Sequence, residues 1–216
     1  MKKRNEIMDY SCSKTQQTRY RERRKYCPEE IKASISILKA KALSDQEIIA
    51  KLKSLLIILN KDTFTQSVKQ FMSVEEMFYS YYDQKRLRLQ RKPGKKADWL
   101  WACLSVLWER WTPGQPSFEM IDELMLNGYD ELEKGDNPKA CACWLKAWAL
   151  ILKILDEREF KTIDDFDSKF RGYHRVYNWI EDVGIQLEYA ARGDPKYLID
   201  KNEFTREFLK RFPYDN

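Results

Sequence analysis

The fold is decided by residues 121–148, which read IDELMLNGYDELEKGDNPKACACWLKAW. Small side chains at Gly128, Ala140 and Ala147 recur at the spacings where two packed antiparallel helices would touch. The bulky Trp144 follows Ala140 by one turn, and Gly135-Asp136 supplies residue types that favour a tight turn. The stretch therefore predicts a hairpin of two helices.

This hairpin resembles a tetratricopeptide repeat, a unit of ~34 residues that stacks on its neighbours. The residues named above match the family's small positions, its turn and its large aromatic position. Asn137 and Leu152 stand where the family usually has an aromatic residue and a closing proline. We therefore expect the second helix to continue to about Leu155.

Two further likenesses extend along the chain. Near its end, a turn sequence followed by aromatic residues and a proline resembles a second, degenerate unit: Gly193-Asp194-Pro195, Phe204, Phe208, Leu209 and Phe212-Pro213. The order of the aromatic motifs is similar to the helical region of bacterial proteins with a SEC-C zinc motif, although the zinc motif itself is absent: Leu107-Trp-Glu-Arg-Trp, Pro116-Ser-Phe-Glu-Met, Gly128-Tyr, Trp144-Leu-Lys-Ala-Trp and Tyr177-Asn-Trp-Ile-Glu-Asp.

Composition and helix-start signals predict the fold class. The chain has only 7 Gly and 7 Pro in 216 residues, which favours long helices over turn-rich sheets. Ser44-Asp-Gln-Glu47 and Ser73-Val-Glu-Glu76 are capping boxes, and the first begins a helix predicted to run to about Leu59. We predict an all-α protein of about nine helices in antiparallel hairpins, arranged as a right-handed array of the tetratricopeptide kind.

Charge and hydropathy divide the chain into three regions. Residues 1–27 form a basic N-terminal arm with nine Lys or Arg against three acidic residues. Residues 28–96 form an N-terminal helical region and 97–216 form the repeat-like region, and we expect the two to form one continuous body. Within it, 97–111 is the most apolar segment, so its tryptophans are expected in the core, and the alternative is an exposed partner-binding stripe: Trp99, Trp101 and Trp111.

The resemblance to the repeat family implies a binding role. In that family the first helix of each unit lines a groove that takes a partner, and carried over to this sequence the groove residues are Asp122, Met125, Tyr129 and Glu133. Met125 and Tyr129 lie one turn apart and would form an exposed apolar anchor. The expected function is a non-enzymatic scaffold that binds a protein or peptide partner, with no cofactor and no metal.

A nucleic-acid-binding role is the alternative. A second basic cluster surrounds Pro93-Gly94, and its candidate phosphate contacts are Arg86, Arg88, Arg91, Lys92, Lys95 and Lys96. Basic residues interleaved with aromatic ones suit a nucleic-acid surface, and the basic arm would add to it. A solvated helix end explains the same residues, and the net charge is only +5.

Catalysis has little support in the sequence. His174 is the only histidine, and no nucleophile or phosphate-loop motif accompanies the acidic residues near it. Tyr173, Tyr177 and Ile180 are expected to pack on the preceding hairpin, which leaves His174 at the surface or at the boundary of the core.

Cysteine usage and hydropathy predict a cytoplasmic protein. Five cysteines are an odd number for a disulfide framework. Cys141 and Cys143 would point about 200° apart on a helix, which does not suit a shared metal ion. The longest apolar runs fall short of the ~18 residues needed to cross a membrane.

Overall fold

The computed structural model describes residues 36–84 and 95–213, with side chains for 36–81 and 97–213. Residues 36–41 are helical. Nine further helices follow in chain order: α1 (Asp45–Ser54), α2 (Lys61–Val68), α3 (Val74–Gln84), α4 (Lys95–Trp111), α5 (Phe118–Glu133), α6 (Asn137–Glu157), α7 (Ile163–Lys169), α8 (Val176–Ala191) and α9 (Lys196–Arg211). No strand occurs in the two described ranges, and the all-α prediction is confirmed.

The two predicted capping boxes begin α1 and α3, although the second one differs in detail. The Ser44 hydroxyl accepts a hydrogen bond from the Glu47 N–H, and the Glu47 carboxylate accepts one from the Ser44 N–H at 2.7 Å. The Ser73 hydroxyl likewise accepts from the Glu76 N–H at 3.0 Å. The Glu76 carboxylate, however, accepts from the Met72 N–H at 2.9 Å, one residue before the expected donor.

Helix α1 ends earlier than predicted, at Ser54 rather than at about Leu59. Leu56 adopts a left-handed backbone conformation, with φ of 63°. The N–H groups of Leu56 and Ile57 donate to carbonyl oxygens of the last helical turn at 2.9 Å each, which is the pattern of a Schellman helix end. The apolar residues 55–59 therefore lie outside α1. The chain turns at Leu56, although this residue is not a glycine.

The first hydrophobic cluster surrounds α4. Trp108 is buried, and its indole N–H donates to the Gln115 carbonyl oxygen at 3.0 Å. Three other tryptophans of α4 are partly buried and pack against the same cluster, which confirms the core interpretation: Trp99, Trp101 and Trp111. Because α4 packs with α1 to α3, the buried residues of the first cluster continue to Trp108, and those of the second begin at Phe118.

Helices α5 and α6 form the predicted hairpin and share the most extensive helix interface of the described residues. Trp144 is fully buried and lies across α5 at Gly128, where an added Cβ would come within 2.0 Å of the indole nitrogen. The indole N–H donates to the Met125 carbonyl oxygen at 2.9 Å. Ala140 and Ala147 are also fully buried, and the close contact predicted at Gly128 is confirmed by its approach to Trp144.

The turn between α5 and α6 uses the predicted residues. Gly135 has a φ of 79°, a conformation that glycine adopts without steric cost. The N–H groups of Gly135 and Asp136 donate to carbonyl oxygens of the last turn of α5, and the Asp136 carboxylate accepts from the Lys139 N–H at 3.1 Å. Helix α6 continues to Glu157, two residues beyond the predicted Leu155.

A second hydrophobic cluster joins this hairpin to α7, α8 and α9. Trp179 of α8 meets Trp144 edge-on, with ring centroids 6.4 Å apart. Phe204 of α9 meets Trp148 edge-on at 5.0 Å. Helices α8 and α9 contact each other across a turn that includes 193–195, where the second, degenerate unit was expected.

The two clusters meet where α3 and α5 begin. The Phe118 N–H donates to the Met72 carbonyl oxygen at 2.9 Å. The Glu119 carboxylate accepts hydrogen bonds from the N–H groups of Val74 and Glu75, at 3.0 and 2.9 Å. A side chain of α5 therefore caps the N-terminus of α3, which favours negative charge.

Candidate protein-interaction surface

Two of the four side chains expected in a groove, Met125 and Tyr129, lie in the core instead. Met125 has no exposed surface, and Tyr129 retains 9% of its exposure. The Tyr129 ring packs edge-on against Trp144, with centroids 4.9 Å apart. The prediction of an exposed anchor is wrong because this face of α5 turns inward, where Trp144 fills the space left by Gly128.

The two acidic residues of the same set have different surroundings. Asp122 accepts a hydrogen bond from the Tyr173 N–H at 2.7 Å and so helps to fix the connection before α8. Glu133 is exposed in the last turn of α5. The four residues therefore do not form one accessible groove.

A partly buried polar contact links α5 to α8 beside this set. The Tyr129 hydroxyl donates to the Asp182 carboxylate at 2.6 Å. The His174 ring lies over the Tyr129 ring, with centroids 4.3 Å apart and planes tilted by 32°. Burial raises the pKa of Asp182 and lowers the pKa of His174, since it penalises the charged form of each group. His174 is half-buried, at the boundary of the core as predicted.

The residues around His174 in sequence mainly build the start of α8. The Asp167 carboxylate accepts hydrogen bonds from the N–H groups of Val176 and Tyr177, at 2.6 and 3.2 Å, which caps the helix from α7. Tyr177 is 45% exposed, so its expected packing on the preceding hairpin is wrong. Trp179, two residues later, takes the inward position instead.

The described cysteines are packed in the interior or at its edge. Cys141 is fully buried, and its thiol donates to the Asn137 side-chain oxygen at 3.4 Å. Burial raises the pKa of the Cys141 and Cys103 thiols to about 11, and a protonated thiol is a poor nucleophile and metal ligand. Within 36–84 and 95–213, no group of three or more His, Cys, Asp or Glu side chains is placed to hold a metal ion.

The basic cluster of the alternative function lies mostly outside the described residues. Arg86, Arg88, Arg91 and Lys92 fall in 85–94. Lys95 and Lys96 are the first two residues of α4, and their side chains are not among those described. The nucleic-acid interpretation stays a prediction from the sequence.

Exposed apolar residues are concentrated on the last hairpin. Ten large apolar side chains of the described residues are exposed, and six of them belong to α8 and α9. We call the solvent-facing side of these two helices the outer face, and it carries Tyr177, Ile185 and Tyr189 of α8 with Leu198, Ile199 and Leu209 of α9. Single exposed apolar residues are ordinary, whereas a group on one surface marks an interaction site.

The helical spacing places the α8 residues on one side. Tyr177, Ile185 and Tyr189 are separated by eight and four residues, so they follow one stripe along the helix. The buried residues Val183 and Leu187 repeat at the same spacing on the opposite side, where they face the core. Helix α8 is therefore apolar on two sides, and the residues that the structure describes cover only one of them.

An ion pair connects the two helices at the outer face. The Lys201 ammonium of α9 lies 2.5 Å from the Glu188 carboxylate of α8. Leu198 precedes Lys201 by three residues and Ile185 precedes Glu188 by three, so each apolar residue lies one turn from the ion pair. The apolar residues of α8 and α9 therefore border a common surface.

The remaining charges on α8 and α9 are of both signs on each helix, and Arg192 at the C-terminal end of α8 lies over the Tyr189 ring. Glu181 of α8 is exposed between Tyr177 and Ile185. Arg206 and Lys210 of α9 are exposed near Leu209, with 70% and 67% of their side chains accessible. The surface combines apolar residues with charges of both signs, as the rim and core of protein interfaces do.

A weak signal in the sequence marks this surface. The dense apolar pattern of α8 belongs to its inward face, and Tyr177 is easily assigned to it because it lies next to Val176. The exposed residues form a second apolar repeat, at 177, 185 and 189. Two apolar stripes on opposite sides of one helix indicate a second covering partner.

Comparison with known proteins adds no relative to this picture. No family model, curated protein or solved structure matches the chain. In the part of the chain that the structure describes, every helix is too short or too polar to cross a membrane.

Proposed function

We propose that this chain is a non-enzymatic helical scaffold that binds a protein partner through the outer face of α8 and α9. The observation that carries the proposal is the concentration of exposed apolar residues on the last hairpin, six of the ten in the described residues. Proteins seldom leave such a group of apolar side chains in water unless another surface covers it.

The chemistry of the outer face supports a protein partner. Two of its six apolar residues are tyrosines, a residue type enriched among those that dominate interface energies. Tyr177 and Tyr189 are each nearly half exposed, so a partner would cover a large apolar area on each. Covering a half-exposed Leu or Ile side chain contributes about 1 kcal/mol, and the charged residues around them would set orientation.

The proposal is tested by site-specific photo-crosslinking in the native host. A photoreactive amino acid is placed at Tyr189 or at Leu198, and for comparison at Ile58, which is 86% exposed but far from α8 in sequence. We expect specific protein adducts from positions 189 and 198 and none from position 58. Adducts of equal yield at all three positions, or none at 189 and 198, would overturn the proposal.

A further inference from the structure

We infer that residues 36–111 and 118–213 are two folding units joined by a hinge, and that the Glu119 carboxylate is the latch that couples them. Loss of this charge leaves each unit folded around its own core but lets it open and reorient without the other. The inference concerns the junction between the units, so it does not rest on the proposed function. Three properties of the described residues support it: the distribution of helix contacts, the connection at 112–117 and the position of Glu119.

The extensive helix contacts of the described residues lie within one unit or the other. Helix α4 contacts α1, α2 and α3, whereas α6 contacts α5 and α8, and α8 also contacts α7 and α9. The buried members of the first hydrophobic cluster end at Trp108, and those of the second begin at Phe118. Each unit therefore has a core of its own, which is what allows part of a chain to open as a cooperative unit.

The connection between the units is short and is fastened on both sides. Residues 112–117 read TPGQPS, and the first proline follows the end of α4. The Gln115 carbonyl oxygen accepts a hydrogen bond from the Trp108 indole at 3.0 Å, and the Gln115 side-chain amide donates to the Glu157 carboxylate of α6 at 3.0 Å. The connection keeps the units adjacent, and contacts across the junction set their orientation.

The contacts that cross the junction among the described residues are narrow in extent. The Phe118 N–H donates to the Met72 carbonyl oxygen at 2.9 Å, and the Arg158 guanidinium donates to the Lys69 carbonyl oxygen at 3.0 Å. Two partly buried methionines are exchanged between the cores, since Met72 packs on the second cluster and Met120 packs on the first. A single substitution at the junction can therefore remove a large share of the coupling.

Glu119 holds the N-termini of two helices together. It lies in the first turn of α5, and its two carboxylate oxygens accept hydrogen bonds from the N–H groups of Val74 and Glu75 in α3, at 3.0 and 2.9 Å. A helix N-terminus carries a partial positive charge, so one negative charge stabilises two positive ends at the same point. Without that charge, the N–H groups of α3 lose an acceptor and the two positive ends face each other.

The first test follows hydrogen exchange of the purified full-length chain at increasing urea concentration, with mass spectrometry of peptides from α4 and α6. In the wild type, the slowest amides of both helices should become exposed in one common opening. In Glu119→Gln the two helices should exchange through separate openings, and the opening constant of the less stable unit should rise at least about ten-fold. Glu123→Gln is the matched control, exposed one turn further along α5, and should behave as the wild type.

Three results of this test would overturn the inference. The first is separate openings already in the wild type, because the junction then couples nothing. The second is a common opening in Glu119→Gln that shifts equally for α4 and α6, which shows a single cooperative fold. The third is a Glu119→Gln chain that does not fold, since each unit should fold around its own core.

The second test measures distances by electron paramagnetic resonance between spin labels on unnatural amino acids. One pair of labels spans the junction, at Ile58 and Leu198, and the other lies within the second unit, at Tyr177 and Leu198; all three positions are exposed. Glu119→Gln should broaden the distance distribution of the first pair only, and Glu123→Gln should broaden neither. An unchanged distribution for the first pair would refute the hinge. Broadening of both pairs would also refute it, because it shows a general loss of structure.

Discussion

Gly128→Ala tests the contact on which the α5–α6 hairpin depends. A Cβ at this position would lie 2.0 Å from Nε1, 2.3 Å from Cδ1 and 2.7 Å from Cε2 of Trp144, far inside van der Waals contact. Trp144 is fully buried between α5 and α8. The indole therefore has no open space into which it can move without displacing its neighbours.

The expected loss of stability is the balance of three effects. Forcing a methyl group into packed surroundings costs about 1 to 3 kcal/mol. Movement of the indole also breaks the hydrogen bond from its N–H to the Met125 carbonyl, and leaving buried partners unsatisfied costs about 1 to 3 kcal/mol. Alanine gains about 1 kcal/mol over glycine within a helix. The net destabilisation should be about 1 to 5 kcal/mol.

Gly184→Ala is the matched control for this change. Gly184 also lies inside a helix, but no neighbouring atom lies within 4 Å of its added Cβ. Only the helix preference then acts, and the control should be more stable than the wild type by about 1 kcal/mol. Urea denaturation followed by circular dichroism measures both variants, with the midpoint and the slope reported separately.

A double-mutant cycle identifies the cause of the loss. Trp144→Phe removes the indole nitrogen and shortens the ring system, so Gly128→Ala should be less costly in that background by about 1 to 2 kcal/mol. A Gly128→Ala variant as stable as the Gly184→Ala control would refute the reasoning. An equal cost of Gly128→Ala in the Trp144 and Phe backgrounds would also refute it.

Four further outcomes are expected, each from thermal or denaturant unfolding. Ala140→Leu should destabilise the fold by about 1 to 3 kcal/mol, because Ala140 is fully buried. Lys139→Leu, on the exposed side, should cost much less. Equal melting temperatures of the two variants would contradict the hairpin register. Leu56→Gly should stabilise by about 0.5 to 1 kcal/mol, because it relieves a left-handed leucine, and a clear loss would contradict this. Glu119→Gln should cost about 1 to 3 kcal/mol, since its amide group can accept only one of the two hydrogen bonds that cap α3; an unchanged midpoint would exclude the cap. Burial holds the pKa of His174 below its ordinary 6.5, so on acidification the unfolded chain binds the proton first. The free energy of unfolding should therefore fall as the pH drops below about 6.5. His174→Gln should reduce this dependence on pH.

The hairpin could be predicted from the sequence because steric demands fix its residue types. Position 128 requires glycine beneath Trp144, and position 135 requires a positive φ. Both requirements select glycine, which is recognisable in the sequence. The capping residues of α1 are recognisable for a similar reason, since few side chain types form hydrogen bonds with a helix N-terminus. These are local constraints with few alternative solutions.

The exposed apolar face of α8 and α9 could not be predicted, because exposure is a property of the assembled core. Met125 and Tyr129 fit an exposed anchor by spacing alone, but Trp144 and Asp182 come from other helices and enclose them. Tyr177 shows the converse, since its neighbours suggest burial while the packing of Trp179 turns it outward. The end of α1 was missed for a related reason, because leucine rarely adopts the conformation of Leu56.

Contacts with the core hold the two helices of the outer face in place, as the proposed binding role requires. Helix α8 is fixed at its start by the Asp167 carboxylate and in its middle by the bond from Tyr129 to Asp182. Helix α9 is fixed by Phe204 against Trp148 and, near its end, by an ion pair of Arg211 with α6. The proposed partner would therefore meet a surface whose backbone is already ordered, and association would lose little conformational entropy. The buried tryptophans hold α8 and α9 in place. The same two helices carry the exposed apolar residues of the outer face, including its two tyrosines.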